Sequence, residues 1–472
     1  MTHAIHEPSR IDGSETADED YSAVQNLDAW PVDDSTHAPE PGDGLPPAPI
    51  TLPDCGLSGA YLSDLILKHL YRYGILTGLE IAERVALSFL LLDGLLREMI
   101  LNQYAEKRGG QGMGNATDRY SLTERGRSYT RDLLEQDTYT GPAPIPLDQY
   151  RRNAHEHDLR SVPITQSRLR EAWRDLILDE ILFAQVGPAI RSGKSCFLYG
   201  PPGTGKTTMA KKIAEFLDRT GGHYAVPHAL LVGGSVIRVY DPVHHEKVED
   251  QESHRASSSW LMENPGDRRW VLCRRPAVIV GGELSLDMLD LRYNPATKYY
   301  EAPLQVKANG GVLIVDDFGR QLVQPRDLLN RWIIPLEERI DYLTLHTGKK
   351  FAIPFDPLVV FATNLDPAGL VDEAFLRRIR YKIYIGEPSI DMYKRIFIAE
   401  CKKKGLVIDP SFIEEIIHRC YRPNHRPLRA CDPRDITDQI ADYCAFHELP
   451  LRIPYELVEK TAAGYLSDLK TG

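Results

Sequence analysis

Apolar residues recur at helical spacing in several segments between residues 58 and 137, whereas the first fifty residues are poor in apolar side chains. Two short strand-like pieces, 103–107 and 118–122, flank a glycine-rich stretch, 109–114, within this region. The pattern predicts three helices, a hairpin and a last helix that begins near Thr123. The apolar positions of the three helices are Leu62, Leu65, Ile66 and Leu70; Leu79, Ile81, Ala82 and Val85; and Leu92, Leu95, Leu96 and Met99.

Three helices followed by a hairpin resemble a winged-helix domain, which we predict for residues 58–137. Many such domains bind DNA, but the candidate recognition helix, Ser88–Tyr104, offers only Arg97 beside Asp93 and Glu98. Binding to DNA requires several Lys or Arg side chains that neutralise phosphates. The pattern therefore favours a protein partner for this domain, and nucleic acid is not the expected partner.

The charge of the chain is concentrated at its start. The 472 residues carry a net charge of −11, and residues 1–50 hold eleven acidic side chains against Arg10, a balance of −10. This leaves −1 for the rest of the chain, which is long enough for about two to four domains of ~100–200 residues. Because a segment so acidic and so poor in apolar residues cannot bury enough surface to order itself, we predict a disordered acidic tail over residues 1–50.

Residues 138–160 read as a proline-containing linker, since three prolines between 139 and 146 favour an extended spacer. We see no basic start followed by an apolar stretch and no run of 18 apolar residues, so neither a secretory leader nor membrane insertion is expected. The seven scattered cysteines are typical of free thiols in a reducing compartment. The expected location is the cytoplasm.

The clearest chemical signal is a complete phosphate-binding loop, G-x-x-x-x-G-K-[ST], between an apolar strand pattern at 196–199 and a helical pattern. Glycines let the backbone approach the phosphates, the lysine reaches the β and γ phosphates, and the following hydroxyl can bind Mg²⁺. The sequence thus predicts a site for a nucleoside triphosphate and Mg²⁺. The candidate binding residues are Gly200, Pro201, Pro202, Gly203, Thr204, Gly205, Lys206, Thr207 and Thr208.

A second buried-strand pattern, 312–315, ends in Asp316 and Asp317. Parallel strands deliver the residues that follow them to the carboxyl edge of a sheet, where α/β proteins bind ligands. We expect Asp316 to hold Mg²⁺ together with Thr207, and Asp317 to orient and deprotonate the attacking water.

Three further positions complete the candidate site. Asn364 follows a third strand pattern, 358–363, and is expected to position water. Arg377 and Arg378 precede a strand pattern at 381–385, where a guanidinium could stabilise the charge that develops on the transferred phosphoryl group, in the same subunit or in a neighbour. Arg434 opens a helix from which it could reach back to the phosphates.

These elements, in this order, resemble the AAA+ ATPases over roughly residues 169–469. The resemblance implies an α/β P-loop NTPase core with a parallel sheet over residues 165–386 and a C-terminal helical lid over 387–472. It also implies homo-oligomeric ring assembly, usually hexameric, with ATP bound between subunits. In this comparison Gly200–Thr207 is the Walker A loop, Asp316 and Asp317 are the Walker B pair, and Asn364 is sensor 1. Arg378 is the arginine finger, with Arg377 as the alternative, and Arg434 is sensor 2.

Two segments, 302–311 and 347–354, are similar to the MoxR-like and magnesium-chelatase branch, whose members act as chaperones or remodel partner proteins. Residues 281–290 and 316–321, together with the winged-helix-like leader, resemble bacterial ATPases described as having chaperone activity associated with Flp pilus assembly. The resemblance implies an ATPase that remodels or assembles a protein complex, with a pilus assembly component as a candidate partner. A nucleotide-gated assembly switch and a DNA-associated ATPase are the alternatives.

Two features depart from the usual AAA+ pattern. Most members carry Glu at the position of Asp317, and the shorter Asp predicts slow turnover. The stretch between Lys206 and Asp316 is also longer than usual, which predicts an inserted surface element that includes the polar run 244–259.

Overall fold

The structure, a computed structural model, describes residues 44–110, 115–248, 266–370, 376–451 and 454–468. These described residues belong to one compact unit. Most of the predicted acidic tail, 1–43, lies outside the described residues, as do 111–114 of the glycine-rich stretch and 249–265 of the polar insertion. Within the described residues, no helix is both long enough and apolar enough to cross a bilayer.

The N-terminal region consists of helices around a small antiparallel sheet in the order β1-β3-β2. Its main helices begin at hydroxyl N-caps: Ser58 accepts a hydrogen bond from the Tyr61 amide, and Thr77 and Glu80 form a capping box. The helices are Leu52–Cys55, Gly59–Tyr73, Gly78–Val85, Phe89–Leu101, a short 3₁₀ turn at Asn115–Thr117, and Glu124–Gln136; the strands are β1 Leu76–Thr77, β2 Ala105–Gly110 and β3 Asp118–Leu122. The predicted helices and hairpin are present, and the assignment as a winged helix stays a prediction.

Residues 138–160 differ from a free spacer. They contain a short strand, β4 Ile145–Pro146, and a helix, Leu147–Glu156. Tyr139, Ala143 and Ile145 are buried. The segment is held because its apolar side chains fill the cores on either side of it. The last described residues of the predicted tail also pack, since Leu45 contacts the core and the Pro46 carbonyl accepts a hydrogen bond from the Asp267 amide.

A five-stranded parallel sheet forms the centre of the molecule, in the order β10-β13-β16-β5-β17. Its middle strands carry buried side chains on both faces, as parallel strands covered by helices do. The remaining strands of the chain are β5 Cys196–Tyr199, β6 His223–Pro227, β7 Ala229–Val232, β8 Ser235–Arg238, β9 Trp270–Arg274, β10 Ala277–Val280, β11 Arg292–Asn294, β12 Tyr299–Glu301, β13 Val312–Val315, β14 Ile340–Thr344, β15 Lys350–Pro354, β16 Leu358–Thr363 and β17 Tyr381–Tyr384.

Helices cover this sheet. Those before and within the core are Gln166–Ala172, Glu180–Ser192, Lys206–Thr220, Leu304–Lys307, Pro325–Arg331, Ile333–Glu338 and Pro367–Leu370. The α/β fold with a parallel sheet is therefore confirmed.

The stretch between the phosphate loop and Asp316 forms a second sheet, in the order β11-β12-β8-β7-β4. One face packs on the β6–β9 and β14–β15 pairs, and on the other face Ala229 and Val236 join the core of the N-terminal region. The expectation of a surface insertion is thus wrong for the described part of the stretch. It is an internal layer that connects the N-terminal region to the nucleotide-binding core.

The C-terminal region is helical and has its own apolar core. Asp432, at the start of one of its helices, accepts hydrogen bonds from the hydroxyls of Tyr421 and Tyr465. The helices are Ile390–Lys403, Pro410–Ile416 continued by a π-helical turn at Ile417–Tyr421, a 3₁₀ turn at Arg422–Asn424, Asp432–Phe446 and Tyr455–Asp468.

Candidate nucleotide-binding site

The site lies at the carboxyl edge of the parallel sheet, where the chain leaves β5 and enters the helix Lys206–Thr220. The strand order reverses here, because β16 lies on one side of β5 and β17 on the other. The loop between strand and helix contains Gly200, Gly203 and Gly205 at φ values of 145°, 78° and 98°. Such backbone angles favour glycine. The loop therefore points its amides and the positive end of a helix into one concave site suited to phosphate.

Lys206 folds back over this loop. Its Nζ donates hydrogen bonds to the carbonyl oxygens of Gly200, at 3.0 Å, and Pro201, at 2.6 Å. Burial lowers the pKa of this ammonium, while the nearby Asp317 and Asp316 act in the opposite direction. The Lys206 ammonium thus lies within the loop and donates to neutral carbonyl oxygens. An anionic phosphate would be a stronger hydrogen-bond acceptor for it.

Thr207 and Asp316 meet across the loop, since the Thr207 hydroxyl donates to Asp316 Oδ1 at 3.0 Å. A hydroxyl and a carboxylate that converge in this way supply hard oxygen donors, which Mg²⁺ binds alongside phosphate and water. The two residues therefore fit the expected Mg²⁺ site. Among the described residues, no group of three or more His, Cys, Asp and Glu side chains could hold a metal ion by itself.

Asp317 and Asn364 lie next to each other at the ends of neighbouring strands, with Asn364 Nδ2 3.4 Å from Asp317 Oδ1. Asp317 is exposed at the edge of the site and has a φ of 49°, in the left-handed region. The side chain of Gln321, which sequence reasoning did not single out, bonds to both the Asp316 carbonyl and the Gly319 amide. A glutamine in a turn gives no sequence signal, so only the structure reveals these bonds.

A cavity of about 1460 Å³ opens in front of these residues and is closed on its far side by the C-terminal region. Arg434 lines it, and its guanidinium is paired with Asp435 at 2.8 Å. The Cys431 amide donates to the Gly203 carbonyl at 3.0 Å, so the C-terminal region contacts the phosphate loop directly.

Apolar side chains line another part of the cavity: Ile177, Leu178, Ile181, Met392 and Ile396. Three of them precede the phosphate loop in the sequence and two belong to the C-terminal region. Together they offer an apolar surface suited to a flat ring such as a nucleobase. The helix before Ile177 ends at Ala172 and the next begins at Glu180, with residues 175–179 lining the cavity between them.

Arg377 and Arg378 do not line the cavity. They precede β17, which runs parallel to β5, and therefore lie at the amino edge of the sheet, opposite the phosphate loop. The Arg378 Nε pairs with Glu337 Oε1 at 2.8 Å. Of the other predicted residues, Gly203–Thr208, Asp316, Asp317, Asn364 and Arg434 line the one cavity, whereas Gly200, Pro201 and Pro202 do not.

Comparison with known protein families agrees with this geometry. Residues 196–240 match the family described as "ATPase family associated with various cellular activities (AAA)", and the match begins with β5 and contains the whole phosphate loop. Residues 196–240 are therefore similar to the AAA family. Residues 389–463, which contain the C-terminal helices, match a domain of unknown function, DUF8689.

Two curated proteins are similar to this chain over part of their length. The ATP-dependent zinc metalloprotease FtsH of Acidimicrobium ferrooxidans is 28% identical over 229 residues, which are 44% of this chain and 31% of that protein. The proteasome-activating nucleotidase of Archaeoglobus fulgidus is 43% identical over 58 residues, or 12% of this chain and 14% of that protein. The chain thus spans less than a third of the length of either relative.

Solved structures show a weaker likeness to this chain. The Thermotoga maritima RuvB Holliday junction branch migration motor is 17% identical and has a TM-score of 0.33, with 66% of this chain and 72% of that chain covered. NtrX from Brucella abortus in complex with ADP is 12% identical and has a TM-score of 0.34, with 59% and 53% covered. At these values the fold assignment rests on the strand order and the phosphate loop described above.

Proposed function

We propose that this protein is a Mg²⁺-dependent ATPase that assembles into a homo-oligomeric ring and remodels or assembles a partner protein complex. The observation that carries the proposal is the convergence of Lys206, Thr207, Asp316, Asp317 and Asn364 on one cavity at the carboxyl edge of a parallel sheet. Each has the chemistry that phosphoryl transfer to water requires at that place.

In the proposed mechanism, the loop amides and Lys206 bind the phosphates, and Lys206 exchanges its carbonyl partners for phosphate oxygens. Thr207 and Asp316 hold Mg²⁺, which neutralises phosphate charge when it is bound. Asp317 accepts a proton from the attacking water, and the Asn364 amide orients that water. Arg434 leaves Asp435 to donate to the phosphates, which closes the C-terminal region over the nucleotide.

The position of Arg378 supports the ring in this proposal. Because it lies at the amino edge of its own sheet, it cannot reach the cavity of its own subunit, but it could reach that of a neighbour. Its pairing with Glu337 keeps the guanidinium near the surface, with 25% of the side chain exposed. An arginine supplied in trans is an established way to stabilise transferred phosphoryl groups. We propose Arg378, with Arg377 as the alternative, for that role.

Two features indicate the kind of partner that the proposed ring acts on: the N-terminal region and the sequence resemblances. A winged-helix-like domain with few basic side chains on its third helix suits protein contact, and the segments at 302–311 and 347–354 favour a remodelling role. A pilus assembly component remains the candidate substrate, and the cytoplasm remains the proposed location.

A nucleotide-gated assembly switch is the second candidate, and the observation that favours it is the short, exposed carboxylate of Asp317. In a switch, ATP binding would order the ring and hydrolysis would be slow or absent. A DNA-associated ATPase is the third candidate, which a steep salt dependence of binding between the N-terminal region and duplex DNA would support.

Steady-state ATP turnover, measured per subunit over a wide range of protein concentration, tests the proposal. Turnover that rises with concentration and then levels off is expected, because a neighbour completes each site. Lys206→Ala should abolish both nucleotide binding and turnover, while Asp317→Asn should abolish turnover and leave binding intact. ATP binding without turnover at any protein concentration would favour the nucleotide-gated switch over the ATPase.

A further inference from the structure

The turn after β13 does not continue the geometry of the strand. In an extended strand successive side chains point to opposite faces. Here the backbone enters the left-handed region at Asp317, with a φ of 49°, and the alternation ends. As a result, the Asp316 carboxylate meets Thr207 while the Asp317 carboxylate meets Asn364, so both reach the same cavity.

Hydrogen bonds and packing fix this turn from both sides. The Phe318 amide donates to the Ala362 carbonyl at 2.7 Å, and the buried Thr363 hydroxyl donates to the Phe318 carbonyl at 2.7 Å, which ties the turn to β16. Gly319 adopts a φ of 102°, and a Cβ there would lie about 3.0 Å from Leu370.

The half-buried Gln321 closes the turn from within. Its Oε1 accepts a hydrogen bond from the Gly319 amide at 2.7 Å, and its Nε2 donates to the Asp316 carbonyl at 2.9 Å. The two bonds connect the residue before Asp317 to a residue after it, so the side chain spans the left-handed position. The Arg320 amide adds a bond to the Asp317 carbonyl at 3.0 Å.

The left-handed backbone also explains why position 317 carries Asp. Asp and Asn occupy this region far more often than other non-glycine residues, because their short polar side chains bond locally. A Glu at position 317 would have greater reach but would be less well suited to this backbone. The short carboxylate is therefore matched to the turn.

We propose that Gln321 is a positioning residue that holds Asp317 in the left-handed region, and that this backbone conformation carries the short carboxylate to the catalytic water. The inference rests on the proposed ATPase function. It reverses the expectation that a longer side chain at position 317 would give faster turnover.

The test compares kcat for ATP hydrolysis and the Kd of a fluorescent ATP analogue in the full chain. Gln321→Ala should lower kcat by about tenfold, a small part of the ~10²–10⁴-fold that a general base contributes. The Kd should stay within about twofold of the wild-type value, since the substitution leaves the phosphate loop untouched. Gln324→Ala, an exposed glutamine of the same segment, is the matched control and should change neither quantity.

Asp317→Glu should lower kcat, and Asp317→Gly should raise the midpoint of thermal unfolding by about 1 to 2 °C because glycine adopts the left-handed region without strain. The inference alone is overturned if the wild type hydrolyses ATP and Gln321→Ala has the kcat of Gln324→Ala, or if Asp317→Glu is faster than wild type. A fall in the unfolding midpoint of Asp317→Gly also overturns it. A wild-type chain that binds ATP without turnover overturns the proposed function, and the positioning role with it.

Discussion

Single residues at the site were identifiable from sequence where a motif carries the chemistry. Lys206, Thr207 and Asp316 belong to motifs whose spacing points to a single mechanism. All three line the same cavity. Gln321 and the apolar side chains around Ile177 were not identifiable, because their roles depend on backbone angles and on distant segments that no local pattern reports. Slow turnover was predicted from the length of Asp317 alone, because no sequence pattern reports the backbone angle at that position.

Asp356 is a half-buried carboxyl outside the site, between the end of β15 and the start of β16. Burial, followed by the charge of Asp158, raises its pKa to about 7, and the nearby Arg339 and Arg160 oppose the shift. The folded state thus holds a proton that the unfolded state loses near pH 4. This residue contributes stability below that pH, and the contribution is lost as the pH rises through about 7.

Asp356→Asn should therefore stabilise the protein relative to wild type at pH 8 more than at pH 5, because Asn carries no charge to bury. We expect the stability difference between Asp356→Asn and wild type to change by about 1 to 2 kcal/mol, below the ~3 kcal/mol that ~1.4 kcal/mol per pKa unit gives over the two units from pH 5 to about 7. Urea unfolding at several pH values measures it, with the exposed Asp132→Asn as the control. A difference that is the same at pH 5 and pH 8 would contradict the prediction.

At the scale of elements, helical periodicity predicted most helices of the N-terminal region, and continuous apolar runs predicted the central strands. The second sheet escaped prediction because its members are short and pair with distant partners. β4, for example, has two residues and pairs in parallel with β7, which follows much later in the chain. A strand this short has no period of its own, so only the tertiary partner defines it.

Substitution by alanine at two glycines in N-terminal helices should change the stability of the protein in opposite directions. Gly94 lies in the helix Phe89–Leu101, and a Cβ there meets nothing within 4 Å. Gly94→Ala should stabilise the protein by about 0.5–1 kcal/mol through helix propensity. Gly126 lies in the helix Glu124–Gln136, where a Cβ would lie 1.9 Å from the Tyr104 carbonyl oxygen.

Gly126→Ala should therefore destabilise the N-terminal region by more than the propensity gain, because helix and strand must separate. Thermal unfolding of the two variants beside wild type measures both effects. Equal shifts for the two variants would show that the helix and the residue before β2 are not in contact in solution.

At the scale of the whole molecule, the separation of Arg378 from its own cavity leads to a complementation experiment. Lys206→Ala and Arg378→Ala should each be inactive alone, the first without nucleotide binding and the second without the guanidinium that a neighbour needs. Mixed together, they should recover part of the turnover, because some interfaces join an intact loop to an intact arginine.

Glu337→Gln is the control for this experiment, since it removes only the ion pair of Arg378 and should keep turnover near the wild-type level. If mixing restores nothing while each variant still assembles with wild type, Arg378 has no role in trans.

The packing of residues 138–160 has a practical consequence for anyone who divides this chain. Thr138 donates to the Thr297 carbonyl from both its amide and its hydroxyl, and the rings of Tyr139 and Tyr299 meet edge to face at 5.9 Å. A cut at this segment would uncover Ala229 and Val236 and leave an apolar surface on each fragment. A fragment that begins after residue 160 should therefore aggregate.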